Sequence, residues 1–187
     1  MKQIFLSLAL LLSLTPVQAS TPVLIEKEDK DLVLRLHYPQ GFAELNLNAA
    51  IKKDLERLEK ANKPEIVHSN SIFSGKNSLY IDYKINYQSA RALSIIWTIS
   101  AFTRGAAHPS NSIESFNALD GKKVDLSKLC KFEEACLSAI ADKAWVFDKE
   151  GLRVYSQPGK EVSEILLPKE IIKAFFLPKV VTAIWSN

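Results

Sequence analysis

The segment that decides the fold is residues 79–101, LYIDYKINYQSARALSIIWTISA. Up to Tyr87 its apolar side chains occupy every second position, which is the period of a strand with one buried face. A short turn at Ser89-Ala90 follows, and from Leu93 a second, longer run alternates in the same way and carries Trp97 on its apolar side. The two runs predict an antiparallel hairpin at the centre of a sheet.

Further strands are predicted on both sides of this hairpin. Alternating leucines predict a strand over residues 31–38, which ends at Pro39-Gln40-Gly41. Residues 113–119 predict another strand, closed by a tight turn at Asp120-Gly121. Residues 145–147 and 152–155 predict a second hairpin.

Helical spacing appears in a few places only. Apolar residues predict a helix of about four turns that ends at Asn62-Lys63-Pro64, with Asn46 or Asn48 placed to cap its start. A short helix is expected to begin at Asp125, and Pro168 is expected to open a final short helix through Phe176. The apolar stripe of the first helix consists of Leu47, Ile51, Leu55 and Leu58.

The order of these elements predicts an α+β fold, an antiparallel sheet of about four to six strands covered by a few amphipathic helices. The chain contains no repeats and no Gly/Ser-rich hinge. Residues 20–187 are therefore expected to form a single domain, which is long enough to bury a core.

The first residues have the pattern of a cleavable secretory signal. Lys2 precedes an apolar run over residues 4–14, and the small residues Val17 and Ala19 suit a peptidase that cuts after Ala19. The run is too short to span a bilayer, which takes about 20 residues. We expect export to the periplasm or beyond the cell, with no membrane span after cleavage; the alternative is an uncleaved N-terminal helix.

The net charge of the chain bears on the class of partner it can bind. The formal net charge is +3 with no clustered basic face, which argues against nucleic acid as a partner. The acidic segment from Glu26 to Asp31 is interpreted as solvated surface.

The two cysteines, Cys130 and Cys136, predict a local disulfide in an oxidising compartment. The bond requires a bend in the chain between them, because a straight helix would hold their α-carbons about 9 Å apart. Two free thiols, or a metal or redox site, are the alternatives.

Several short motifs follow one another along nearly the whole exported chain. They are His37-Tyr38-Pro39, Leu47-Asn48-Ala49-Ala50-Ile51, residues 102–109 (FTRGAAHP), Phe116-Asn117, residues 121–129 (GKKVDLSKL), residues 151–155 (GLRVY) and Leu167-Pro168. With these motifs the chain resembles a family of extracytoplasmic domains of unknown function. The family forms the outer region of the sigma-V anti-sigma factor and precedes the catalytic domain in some peptidoglycan deacetylases.

The resemblance implies a fold and suggests ligands. In the anti-sigma factor the domain senses lysozyme by binding it, so lysozyme or peptidoglycan is an implied partner. Two departures are visible: Arg104-Gly105-Ala106 stands where the family has a second glycine, and the cysteine pair replaces part of a helical stretch. A nearly neutral domain would not be steered toward a strongly basic lysozyme by long-range charge.

The candidate binding residues are Arg104, Gly105, His108 and Pro109. Gly105 permits backbone angles that other residues avoid, and Pro109 stiffens the exit of the loop. If this connection is functional, Arg104 and His108 are exposed at the tip of a loop on a rigid sheet. The alternative is structural, with His108 bonded across a hairpin connection.

An enzyme is disfavoured but stays the second hypothesis. His37, His68 and His108 lack the spacing of metal ligands, and no Gly-x-Ser-x-Gly nucleophile turn occurs, so we expect neither a metal nor a cofactor. Tryptophans could stack on glycan rings, although the register of Trp97 predicts burial. The sequence favours a non-catalytic domain that binds a protein or a cell-wall ligand; the alternative is an accessory or catalytic component of peptidoglycan modification.

Overall fold

The computed structural model describes residues 20–65, 75–131, 140, 143–156 and 162–185. The predicted signal segment 1–19 lies outside these ranges, as do His68 and Cys136. The signal and the disulfide therefore stay predictions. Cys130 is described and is buried.

The described residues form nine strands, three α-helices and one 3₁₀ turn. None of these helices is long and apolar enough to cross a membrane. In chain order the elements are β1 (Thr21–Glu28), β2 (Leu32–Gln40), α1 (Leu45–Asn62), β3 (Asn77–Gln88), β4 (Ala92–Phe102), β5 (Ser110–Leu119), β6 (Lys122–Lys123), the 3₁₀ turn (Leu126–Leu129), β7 (Ala144–Asp148), β8 (Gly151–Ser156), β9 (Ser163–Pro168), α2 (Lys169–Phe175) and α3 (Pro178–Trp185).

Six strands form the main sheet, in the order β1-β2-β3-β4-β5-β6. The predicted hairpin is confirmed, since β3 and β4 are antiparallel with Ile81 opposite Ile99 and Ile85 opposite Ile95. The expectation of an antiparallel sheet is wrong at one pair, because β2 and β3 run parallel. The chain between them includes α1, and a parallel pair needs such a long crossover.

The helix α1 covers one face of the main sheet. Its predicted apolar stripe is buried together with Trp97, which is fully enclosed as its register predicts. The capping prediction is wrong, because Glu44 is the residue before the helix and neither Asn46 nor Asn48 caps it. The Asn48 side chain instead bonds the backbone N–H and C=O of Phe42, at 3.1 and 2.7 Å, and so fixes the entry to the helix.

Asp54 is a charged residue inside this apolar interface, only 4% exposed. Its carboxylate accepts hydrogen bonds from Trp97 Nε1 at 3.1 Å, Arg57 Nε at 3.1 Å and Lys123 Nζ at 2.5 Å. Arg57 also donates to Glu114 at 2.7 Å. The carboxylate thereby links α1 to β4 and β6, Arg57 adds the link to β5, and the burial of the carboxylate is compensated by three donors.

A second sheet, β7-β8-β9, lies apart from the main one. The predicted hairpin of β7 and β8 is confirmed, with Trp145 opposite Val154 and Phe147 opposite Leu152. The sequence predicted neither strand β9 nor a second sheet. The expectation of a single sheet is therefore wrong. The two sheets stay distinct because β7 meets the main sheet through side chains, not through a backbone ladder.

Those side chains bond the free edge of β7. Trp145 N–H donates to Ser115 Oγ at 3.2 Å, and its C=O accepts from Asn117 Nδ2 at 2.7 Å. Phe147 N–H donates to Ser94 Oγ at 2.8 Å, and its C=O accepts from Asn86 Nδ2 at 2.9 Å. Four backbone groups of an edge strand are thus paired, where an open edge would leave them unsatisfied.

The C-terminal helices close a second apolar cluster around the β7-β8-β9 sheet. The predicted helix after Pro168 is confirmed as α2, whereas α3 was not predicted. Tyr87 Oη donates to the carbonyl of Ile184, and Trp185 Nε1 donates to the carbonyl of Asp148 at 2.7 Å. Phe176 lies fully buried between the helices and Cys130.

Candidate functional site

The segment with the predicted binding residues connects β4 to β5 and occupies residues 103–109. Gly105 has a φ of +92°, which other residues rarely adopt, and the N–H of Ala106 donates to the carbonyl of Thr103 at 2.9 Å. Gly105, His108 and Pro109 are exposed, and Arg104 is half-buried. The segment is therefore a tight turn followed by an exposed strand entry.

His108 does not bond across the hairpin in the way that the structural alternative supposed. Its Nδ1 lies 3.2 Å from the carbonyl oxygen of Pro109, the next residue. That contact orients the ring locally and leaves the side chain exposed. His108 is therefore exposed on a loop at the end of the sheet, which is a common place for binding residues, whereas Arg104 is half-buried.

Asn77 anchors this connection from below. It is only 3% exposed, and its Oδ1 accepts the N–H of Arg104 at 2.7 Å. Its own N–H donates to the carbonyl of Asp31 at 2.9 Å, in the turn between β1 and β2. Asn77 thus joins two loops to the start of β3, one through its side chain and the other through its backbone N–H. Sequence reasoning missed Asn77, since a single polar residue at a strand start carries no distinctive pattern.

The neighbouring β1–β2 turn places charged side chains at the same end of the strands. Lys76 Nζ donates to Glu28 Oε1 at 2.7 Å and to the carbonyl of Asp29 at 2.6 Å. The hydrogen bond and charge of Lys76 lower the pKa of Glu28. The backbone N–H groups of Asp31 and Leu32 lower the pKa of Asp29. This rim at the end of the sheet therefore carries acidic and basic side chains that are hydrogen-bonded to one another or to the backbone.

The other residues considered from sequence lie elsewhere. His37 is on the outer face of β2 with Nδ1 3.3 Å from Asp82 Oδ1, and Trp145 is buried. Trp185 is half-buried with its indole N–H bonded to Asp148. Within the described ranges no three His, Cys, Asp or Glu side chains approach closely enough to hold a metal ion.

The fold defines a class of protein: an α+β domain with a mixed six-stranded sheet, one long helix on one face, and a smaller sheet packed on part of the other. Solved structures that share it include two of the same named family. One is a DUF3298 family protein from Pseudomonas aeruginosa PAO1, with a TM-score of 0.63 and 11% identity, over 88% of this chain and 97% of the other. The second is a DUF3298 family member from Bacteroides fragilis NCTC 9343, with a TM-score of 0.59 and 12% identity, over 91% and 99%.

At these identities the likeness concerns the fold alone. No family model matches the chain, and no curated protein is similar to it in sequence. The expectation of a domain of unknown function is supported, because both structural neighbours are described by such a family name. The relation to the sigma-V anti-sigma factor and to peptidoglycan deacetylases stays a prediction.

Proposed function

We propose that this chain is an exported, non-catalytic envelope domain that binds a protein or a cell-wall ligand through the β4–β5 connection. The observation that carries the proposal is that the half-buried Arg104 is anchored on the buried Asn77 while the segment that follows it, up to His108, is exposed. A loop held in this way loses little conformational entropy when a ligand binds, which favours affinity. The proposed location is the periplasm or the outside of the cell, where the signal-like segment would deliver it.

Lysozyme is the first protein to test, because the sequence resembles a lysozyme-sensing domain. The rim near the connection carries both signs of charge, among them Glu28 and Lys76 in an ion pair. A basic partner would therefore be recognised by short-range contacts, and its affinity should depend only weakly on salt. Peptidoglycan is the second probe, and hydrolysis or deacetylation of it would favour the accessory or catalytic alternative.

The experiment compares the purified protein with two double variants. Arg104→Ala/His108→Ala removes the half-buried arginine and the exposed histidine of the connection, and Lys52→Ala/Lys53→Ala removes two exposed basic groups on α1 as a control. We expect wild type and the α1 variant to retain lysozyme or peptidoglycan in a pull-down and the connection variant to lose most of it. Equal retention by both double variants, or retention of neither probe by wild type, would overturn the proposal.

A further inference from the structure

The main sheet has an open face on the side opposite α1. Strand β7 covers only the end of this side that carries Asn86, Ser94, Ser115 and Asn117. Beyond β7, ten side chains of strands β1 to β5 form two adjacent rows that run across the strands. The open face consists of Glu26, Arg35, Tyr80, Ser100 and Asn111 in one row and Leu24, His37, Asp82, Thr98 and Ile113 in the other.

Tyr80 stands at the centre of the first row and is 39% exposed. Arg35 lies on one side of it, with its guanidinium carbon 5.8 Å from the ring centroid. On the other side the directly opposite residue is Ser100, which is small, and beyond that comes Asn111. The ring is therefore held by a cation–π contact on one side and borders a shallow polar floor on the other.

The charged groups of the open face are paired within it. Arg35 Nε lies 3.0 Å from Glu26 Oε1, and His37 Nδ1 lies 3.3 Å from Asp82 Oδ1. All four side chains are about half exposed or more. These contacts position the four polar side chains in advance, and the opposite charges of Glu26 and Arg35 cancel. Such a surface offers hydrogen bonds without attracting a strongly charged partner.

We propose that this open face binds a neutral glycan strand, with Tyr80 as the ring on which a sugar stacks. A sugar presents an apolar C–H face, which suits an aromatic ring, and a rim of hydroxyls, which suits Asp82, Thr98 and Ser100. Of the ten side chains of this face, Tyr80 and Leu24 are large, apolar and exposed, and Ile113 is half-buried, which is less than the contiguous patch at the core of a protein interface. Charge pairing and sparse apolar area therefore favour a polyhydroxyl ligand over a protein.

This inference rests on the proposed binding function for its ligand class, but it places the contact on different residues. The tryptophans considered from sequence are buried or bonded, so Tyr80 takes the stacking role that they were candidates for. The β4–β5 connection borders the open face next to Phe102, which lies diagonally from Tyr80 across the β3–β4 pair. One strand of sugars could therefore contact both surfaces.

The test uses purified peptidoglycan in co-sedimentation and soluble chitotetraose in calorimetric titration. Tyr80→Ala should weaken both interactions by about fivefold to tenfold, the size of one lost stacking contact. Tyr80→Phe keeps the ring and should remain within about twofold of wild type. Because Tyr80 is exposed, the variants should fold, which far-UV circular dichroism checks. The Arg104→Ala/His108→Ala variant, measured in the same two assays, shows whether glycan binding depends on the β4–β5 connection or on the open face.

Three outcomes would overturn the inference. One is no binding of either glycan by wild type, and another is undiminished glycan binding by Tyr80→Ala. The third is a loss that concerns only lysozyme binding or self-association, measured by sedimentation velocity, which would make the face a protein surface. If Tyr80→Ala abolishes glycan binding while the connection variant binds normally, the open face stands and the proposed role of the connection falls.

Discussion

Asp54 shows how one side chain fixes a helix on a sheet. Among the described residues it is the most deeply buried acidic group, and its three donors come from α1, β4 and β6. Its burial can be predicted from the helical spacing, because Asp54 lies between Ile51 and Leu58 on the apolar stripe. A charged residue in such a stripe indicates a buried partner, which here includes the indole N–H of Trp97.

Replacing Asp54 by alanine should lower the free energy of unfolding by about 2–3 kcal/mol. The substitution leaves the buried Trp97 N–H without an acceptor, whereas Arg57 and Lys123 are exposed enough to regain water. Urea denaturation measures the change. Glu56→Ala, on the exposed side of the same helix, should stay within about 0.5 kcal/mol. Equal effects of the two substitutions would show that the buried cluster adds nothing.

Asp148 predicts a pH dependence of stability. Partial burial favours the protonated acid, but hydrogen bonds from the Arg153 side chain and the Glu150 N–H outweigh it and hold the pKa of Asp148 below its ordinary value. A carboxyl group with a lowered folded-state pKa stabilises the fold above its unfolded pKa of about 4, and this contribution is lost as the pH falls through the folded value.

Asp148→Asn should therefore cost about 1 kcal/mol at pH 7, since a charge-assisted bond to Arg153 becomes a neutral one. The difference from wild type should shrink below about pH 4, where the wild-type carboxylate also becomes neutral. Thermal unfolding from pH 2 to pH 7 follows it. Asp125→Asn, at an exposed carboxylate, serves as the control. A difference that is constant with pH would contradict the role assigned to this charge.

At the scale of elements, the close approach of β8 to the end of β9 depends on Gly151. A Cβ atom at this position would lie 2.0 Å from the carbonyl oxygen of Leu167 and 3.0 Å from the N of Lys169. Both obstacles are backbone atoms, so they cannot yield by a change of rotamer. The register in which Gly151 faces Pro168 is therefore possible only without a side chain there.

Gly151→Ala should destabilise the protein by about 3 kcal/mol or more, through overpacking against the backbone. Gly75→Ala is the matched control, because Gly75 also has a positive φ but nothing lies within 4 Å of its Cβ position. Its cost should be limited to about 1–2 kcal/mol of backbone strain. Chemical denaturation compares the two variants, and a Gly151 variant no less stable than the Gly75 variant would refute the steric argument.

The contact between the two sheets predicts coupled effects of Ser94 and Asn117. Ser94 Oγ accepts the Phe147 N–H and donates to Asn117 Oδ1, while Asn117 Nδ2 donates to the Trp145 carbonyl. Each alanine substitution should cost about 2 kcal/mol, because each leaves a buried backbone group unpaired.

The double variant should cost less than the sum of the two, with a coupling of about 1 kcal/mol, since the residues belong to one network. A double-mutant cycle from urea denaturation measures it. Thr98→Ala, at an exposed position of the same strand, should change stability by less than about 0.5 kcal/mol. Strict additivity would show that the two side chains bond β7 independently.

At the scale of the whole molecule, two apolar clusters share one polar seam. The first cluster lies between α1 and the main sheet, and the second lies between the β7-β8-β9 sheet and the C-terminal helices. The seam is the set of side-chain bonds to the free edge of β7. The seam pairs four backbone groups of β7 through bonds that are buried or part-buried. Opening one cluster would leave these groups unpaired, so the two clusters should unfold together.

Ile184→Ala tests this coupling from the second cluster. Ile184 is 2% exposed, and its truncation should cost about 2–5 kcal/mol. Hydrogen exchange should then show the same loss of protection for the amides of β3 and of β8, which belong to different clusters. Lys179→Ala on the exposed side of α3 is the control. Lower protection in β8 alone would mean that the clusters open independently.

Local patterns by themselves determined the central hairpin, α1 and the β7–β8 hairpin. In each case the residues that alternate or recur in sequence are the ones that are buried, as with Ile81, Trp97 and Ile51. They also indicated where the β4–β5 connection lies, because Gly105 and Pro109 interrupt the strand pattern. Whether that connection binds a ligand stays a prediction.

Tertiary structure alone decided the strand neighbours and the polar contacts. Neither β1 (TPVLIEKE) nor β9 (SEILLP) alternates, because each carries three consecutive apolar residues. Both are edge strands with a single partner and are largely exposed, so neither needs the alternating pattern of a strand with one buried face. The parallel β2–β3 pair depends on where α1 returns the chain. Asn77, Asn117 and Tyr80 acquire their surroundings from residues distant in sequence, and local periodicity carries no information about such contacts.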